Sequence, residues 1–195
     1  MYDSGCNLDG KSIIVTGAAQ GIGRAIALHV AELGGRVAAV DLDAEGLNDL
    51  QGELGADRCA IVVGNVADAS LADRAVSVAT EAFGGVTGLV NNAGVTRTAL
   101  IEKMTAEDWQ LVIDVHLTGS FHFLQAVGRH VLSRVNSGET VAAAIVNISS
   151  DAGRRGTIGQ INYGVAKAGV LGMTMCAARE WAKYGIRVNT VGFGV

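Results

Sequence analysis

The sequence predicts an α/β fold, a doubly wound parallel sheet with helices on both faces. Three observations carry this. Short apolar runs at 12–15, 36–40, 59–63, 88–90, 142–148 and 186–191 alternate with helical patterns from start to finish. A glycine-rich turn leads directly from the first run into the first helical pattern. Gly17, Asp41, Asn65, Asn91 and Ser150 all fall just after strands, on the carboxyl edge where such sheets take ligands. At 195 residues, 49% hydrophobic and 17% charged, the chain suits one well-buried domain spanning 1–195. It shows no repeat of solenoid period, no low-complexity segment and no linker.

Taken in order, strand 12–15 is followed by Thr16-Gly17-Ala18-Ala19-Gln20-Gly21-Ile22-Gly23, and a helix is expected over 24–33 with Ile26, Val30 and Leu33 on one face. Gly17 permits the sharp turn, Gly21 lets backbone N–H groups approach a pyrophosphate, and Gly23 lets the helix pack close to the strand. The second strand ends in Asp41, a residue disfavoured within strands. A carboxylate here suits a grip on the adenosine ribose hydroxyls and repels a 2′-phosphate; the plainer reading is a turn residue opening Asp41-Leu42-Asp43.

After strand 59–63, Asp68 or Ser70 can cap a helix over 71–83. Strand 88–90 runs into Asn91-Asn92-Ala93-Gly94, which suits irregular backbone near a ligand and equally a plain turn. Thr105, with Glu107 and Asp108 behind it, caps a helix expected to run to about residue 135. Strand 142–148 ends in Ser149-Ser150, and a helix over 163–183 leads to the last strand.

Tyr163 and Lys167 stand one helical turn apart, so they share a face. An ammonium beside a phenol favours the phenolate, and a tyrosine tuned this way can exchange a proton with a substrate oxygen near neutral pH. Ser150 would hold the same oxygen. By itself Tyr-x-x-x-Lys is equally an amphipathic helix with an exposed Lys and a half-buried Tyr.

Together the glycine turn at 16–23, Asn91-Asn92-Ala93-Gly94, Ser150, Tyr163 with Lys167, and Arg187-Val188-Asn189-Thr190 resemble the short-chain dehydrogenase/reductase family over nearly the whole chain. Val146-Asn147-Ile148-Ser149-Ser150 and Gln160-x-Asn162-Tyr163 are similar to 3-oxoacyl-carrier-protein-reductase-like members. The resemblance implies a Rossmann-like three-layer α/β/α domain and an NAD-dependent oxidoreductase that interconverts a secondary alcohol and a ketone. It makes Tyr163 the general acid/base, Ser150 the holder of the substrate oxygen, and Lys167 the group that tunes Tyr163 and grips the nicotinamide ribose. It puts Gly17, Gln20, Gly21, Ile22 and Gly23 at the phosphates and Asp41 at the adenosine ribose. Asn65 and Val66 meet the adenine, and Asn91 and Gly94 lie beneath the cofactor.

Two departures from the family pattern stand out. His116 occupies the place of an Asn that helps hold a water joined to the catalytic Lys. A neutral imidazole can hold a water too, or His116 is simply packed on a buried helix face. Beyond Gly192-Phe193-Gly194, relatives continue through a nicotinamide-binding loop, a helical lid and a further strand. The expectation is that the natural protein continues past Val195, with Gly192 and Gly194 flanking a lid hinge. The alternative function is a dinucleotide-binding or assembly protein with an impaired site.

Net charge is −4 with no basic run, so nucleic acid and anionic membranes are unexpected partners, and a small-molecule substrate is expected. No apolar run approaches a membrane span, and the start lacks the basic and apolar regions of a signal peptide. Cys6, Cys59 and Cys176 lack metal spacing and read as buried thiols in a reducing, cytoplasmic setting; no metal is expected. Residues 117–131 and 165–181 carry more apolar side chains than one sheet-facing stripe needs, which predicts association through these helices; the family resemblance implies a homotetramer, with a homodimer as the alternative.

Overall fold

The computed structural model describes residues 7–194; the leader reading at 1–5, Cys6 and the end at Val195 lie outside the described residues. Six parallel strands, β1 (Ser12–Thr16), β2 (Arg36–Asp41), β3 (Cys59–Val63), β4 (Gly88–Asn91), β5 (Ala143–Ser150) and β6 (Ile186–Phe193), form one sheet. Their order is β3-β2-β1-β4-β5-β6. β1 pairs with β2 on one side and β4 on the other, so the winding reverses between β1 and β4 and opens a crevice at their carboxyl ends.

Side chains alternate across each strand, so Ile14 belongs to one apolar core and Val15 to the other. Helices α1 (Gly21–Glu32) and α2 (Ala44–Leu54) cover one face of the sheet; α3 (Ala69–Phe83) and α5 (Gly119–Asn136) cover the other. α7 (Ile161–Trp181) shares the second face through Val170, Thr174 and Ala177. α4 (Ala106–Ile113) and α6 (Ala152–Arg155) are short and pack against α7. This is the doubly wound three-layer sheet that the sequence predicts.

Several boundaries differ, each for a local reason. α1 begins at Gly21 rather than 24, and its buried stripe is Gly23, Ala27, Val30 and Ala31; these small residues bring the helix close to β1, while Ile26 and Leu33 are only half-buried. The helix α2 has no counterpart in the sequence reading. Its signals are there: the Asp43 carboxylate accepts from Glu45 and Gly46 N–H at 3.1 Å each, and Leu47, Leu50 and Leu54 recur on one buried face. Asp68 caps α3, accepting from the Ser70 N–H at 2.9 Å.

The helix expected from Thr105 to about 135 is not continuous. Thr105 caps α4, but a π-helical turn over Asp114–Thr118 separates it from α5. A π turn inserts an extra residue and rotates the following helix face. Cys59 is buried, and burial pushes its thiol up to about 11; Cys176 is exposed, contrary to the expectation. The α7 stripe at Val170, Thr174 and Ala177 faces the sheet and leaves Cys176 and Met175 on the outside.

Candidate active site

The crevice between β1 and β4 deepens into a cleft of about 660 Å³. The turn after β1 forms its floor. Gly17 has φ +67°, and a Cβ there would lie 2.9 Å from the Ala93 Cα; at Gly23 it would lie 1.9 Å from the Gly17 carbonyl oxygen. Only glycine fits such closeness, which brings the start of α1 against the strand ends. Gln20, Ile22 and Gly23 line the cleft beside Gly17, whereas Gly21 turns the chain into α1 without lining it. Asn92, which the sequence reading did not single out, locks the turn: its amide donates to Thr16 O at 2.9 Å and Gly17 O at 3.2 Å.

Asp41 closes one end of the cleft, where Asn65 and Val66 also lie. Its Oδ2 accepts from the Ala19 N–H at 3.0 Å and its Oδ1 from the Asp43 N–H at 3.1 Å. The carboxylate therefore stands at the cleft already oriented by the glycine turn. Asn91 behaves otherwise than expected. It is buried, and its amide donates inward to Ser120 O at 3.0 Å and Asn147 Oδ1 at 2.9 Å. A residue tied into the core this way does not face a ligand; Asn92, Ala93 and Gly94 line the cleft in its place.

The other end of the cleft holds Ser150, Tyr163, Lys167 and His116. Lys167 is 4% exposed, and its Nζ donates to Ile148 O at 2.6 Å. None of the ion pairs among the described residues includes it. Burial pushes its ammonium down to about 8. The Nζ lies 5.6 Å from the centre of the Tyr163 ring. Ser149, on the opposite strand face from Ser150, accounts for the Lys167 backbone by donating to its carbonyl at 2.9 Å. Ser150 Oγ accepts from the Ala152 N–H at 3.3 Å, so its own proton is left to donate into the cleft.

His116 sits in the π turn with 3% exposure, its ring edge-on to Tyr163 at 5.1 Å and 89°. Its Nε2 faces both groups of Val95, the N–H at 3.0 Å and the carbonyl at 2.7 Å, while Nδ1 is buried without a partner. A Cβ on Gly94 would strike its Cε1 at 2.4 Å, so Gly94 makes room for the imidazole. Burial, and then the positive charge of Lys167, push His116 from 6.5 down to about 4; the Val95 hydrogen bond opposes this.

The pH consequence follows from that depression. Above pH 6.5 the imidazole is neutral in folded and unfolded chains alike, and its contribution to stability is whole. Between 6.5 and about 4 the unfolded chain takes up a proton that the folded one refuses, so stability falls across that window. The loss is at most about 3 kcal/mol. Urea midpoints at pH 7 and pH 4.5 check it: the drop should be clearly smaller in His116→Asn than in the wild type, and equal drops would contradict it.

The cleft joins a glycine turn and the Asp41 carboxylate at one end to a Ser, Tyr and buried Lys at the other. A family profile described as short chain dehydrogenase matches residues 11–195. The chain belongs to the short-chain dehydrogenase family. D-threitol dehydrogenase of Mycolicibacterium smegmatis is 42% identical over 186 residues, 94% of this chain and 69% of that protein. The 3-oxoacyl-(acyl-carrier-protein) reductase of Thermotoga maritima is 41% identical over 96% of this chain and 74% of its own length. Among solved structures, a short chain dehydrogenase from Mycobacterium avium superposes with TM-score 0.91 at 36% identity, covering 96% of this chain and 68% of that one. Like other short-chain dehydrogenases, the chain is thus an oxidoreductase of the CH–OH/carbonyl class that uses a nicotinamide dinucleotide. It is shorter than these relatives, and no helix among its described residues is long and apolar enough to cross a membrane.

Proposed function

We propose that the chain interconverts a secondary alcohol and a ketone with NAD(H), with Tyr163 as the general acid/base. The observation that carries this is Lys167, a buried ammonium with no carboxylate partner among the described residues, beside Tyr163 in the same cleft as the glycine turn and Asp41. The residues fit the cofactor: Gly17 and Gly23 leave no room for a side chain where a dinucleotide's phosphates would approach the backbone.

When bound, the nicotinamide supplies or accepts the hydride. The protein's part is to hold the substrate oxygen and move its proton. In the reducing direction the Tyr163 hydroxyl gives its proton to the carbonyl oxygen, and in the oxidising direction it takes the alcohol's proton. The Ser150 hydroxyl donates to that same oxygen and fixes its position. Lys167 stabilises negative charge on the tyrosine oxygen during the transfer and reaches the nicotinamide ribose. His116 meets the Tyr163 ring edge-on and is itself anchored to the Val95 backbone; it is a support for the site whether or not a water joins it.

The similarity to both a threitol dehydrogenase and 3-oxoacyl reductases suggests a small polyol or a 3-oxoacyl thioester as substrate. Oxidation of D-threitol with NAD and reduction of acetoacetyl-CoA with NADH, followed by nicotinamide absorbance, test the reading. Dinucleotide binding without turnover on either, or on a wider panel of secondary alcohols, would favour the assembly or binding role instead.

Cofactor choice rests on Asp41. Its oriented carboxylate would face a 2′-phosphate, and neither Gln20 nor Leu42 brings positive charge there. NAD(H) should be preferred in kcat/KM, and Asp41→Ala should narrow that preference by about tenfold or more. Equal kcat/KM for both cofactors in the wild type would refute it.

Exposed Phe121, Val165 and Met175 on α5 and α7 favour association as a homodimer or homotetramer, which light scattering at micromolar concentration checks. Free Cys59 and Cys176 accord with a cytoplasmic location, open to cell fractionation.

A further inference from the structure

Asn162 immediately precedes Tyr163 and is fully buried, at 0% exposure. Its side chain reaches three points of a segment that is remote in sequence. The amide nitrogen donates to Arg97 O at 3.0 Å and Asp108 O at 3.1 Å, and contacts Met104 Sδ at 3.4 Å. On the other side, Oδ1 accepts from the Tyr163 N–H at 2.8 Å. Two donors and an acceptor on one short planar group are what this position requires, and among side chains only the amides offer them. Glutamine, one methylene longer, would carry the amide away from these partners.

The segment that Asn162 grips directly continues the wall of the cleft. Val95 and Thr96 line it, and the backbone is joined to the entry of α7 once more where Ala99 N–H donates to Gly159 O at 2.9 Å. Tyr163 is thereby held from two directions by the same segment. Its backbone is tied through Asn162 to Arg97 and Asp108, and its ring rests on His116, which bonds Val95. These contacts form a closed ring around the acid/base.

We propose that Asn162 is a positioning residue: it locks the segment 97–108, which continues the cleft wall at Val95 and Thr96, to the first turn of α7 and so sets where the Tyr163 hydroxyl meets the substrate oxygen. This rests on the oxidoreductase reading above. The Asp41 end of the cleft does not depend on it, because none of the Asn162 hydrogen bonds among the described residues reaches the glycine turn. Loss of Asn162 therefore acts on the chemical step and leaves dinucleotide binding alone.

The test compares wild type, Asn162→Ala and Asn162→Asp in kcat, KM, NAD dissociation constant, melting temperature and deuterium uptake. Wild-type turnover on the substrates above comes first and decides the oxidoreductase reading by itself. Asn162→Ala should then lower kcat by about 10- to 100-fold, the cost of a misplaced reacting group, with the NAD dissociation constant within about twofold. Peptides covering 95–108 should take up deuterium faster, a readout that requires no turnover. Asn162→Asp keeps the acceptor for the Tyr163 N–H but sets a carboxylate against two carbonyl oxygens. Its kcat relative to wild type should recover on acidification, when a protonated Asp can donate again. An unchanged kcat in Asn162→Ala would overturn the proposal. So would losses of kcat, NAD affinity and melting temperature in step, which mark a merely structural residue. Should the alanine variant fail to fold, the pH profile of Asn162→Asp decides, and a flat ratio to wild type refutes the positioning role.

Discussion

Tyr163→Phe is expected to lower turnover by roughly 10²- to 10⁴-fold, the range that general acid/base groups contribute. The change deletes one oxygen and nothing else. The phenyl ring still fits the half-buried space beside His116, and the hydrogen bond from the backbone N–H to Asn162 Oδ1 is untouched. Folding and dinucleotide affinity should therefore match the wild type. Ser150 cannot take over: its hydroxyl can donate a hydrogen bond to the substrate oxygen, but an unactivated serine is too weak an acid to transfer the proton, and its recorded partner, the Ala152 N–H, is a donor. Lys167 is held against Ile148 O on the strand. Steady-state kcat at neutral pH, with circular dichroism and NAD titration as controls, measures the outcome. Substantial residual turnover would mean that a different group transfers the proton.

Gly23→Ala is expected to damage cofactor binding more than any other single methyl addition at the turn. The added Cβ would lie 1.9 Å from Gly17 O and 2.5 Å from Asn92 Nδ2. Both are held in place: the Asn92 amide is engaged with the carbonyls of Thr16 and Gly17, and Gly17 is pressed against Ala93. The backbone must yield, so α1 withdraws from the strand ends and carries its N-terminal N–H groups away from the place proposed for the phosphates. Overpacking of this kind costs about 1–3 kcal/mol in stability. NAD affinity should fall by about tenfold or more. Gly52→Ala is the control, since it lies in α2 with nothing within 4 Å of its Cβ; there the methyl should stabilise by about 0.5–1 kcal/mol. Calorimetry and NAD titration on both variants read the contrast. Unimpaired NAD binding in Gly23→Ala would show that the turn is not the phosphate site.

The features legible in the sequence are those whose partners lie close along the chain. Strand and helix alternation gives the layers, and the residues between β1 and α1 give the turn. The Tyr163–Lys167 spacing gives a shared helix face, because four residues make about one turn. Asp41 is legible because a carboxylate at a strand end is out of place unless something uses it. The helix α2 is legible too, through the Asp43 cap and the leucines at 47, 50 and 54.

Other features depend on contacts between segments that no local pattern links. Asn91 and Asn92 are adjacent and chemically identical, yet strand alternation sends the first into the core and leaves the second to hold the glycine turn. Asn162 owes its role to carbonyls 54 and 65 residues away. The π turn that puts His116 against Tyr163 and Gly94 shows in the helical pattern only as a continuous run. The sequence alone therefore determined the layered fold, the strand-end location of the site and its Ser150, Tyr163 and Lys167. Tertiary structure decided which asparagines face the cleft, how His116 is seated and what holds Tyr163, because packing between distant strands and helices sets the direction of each side chain.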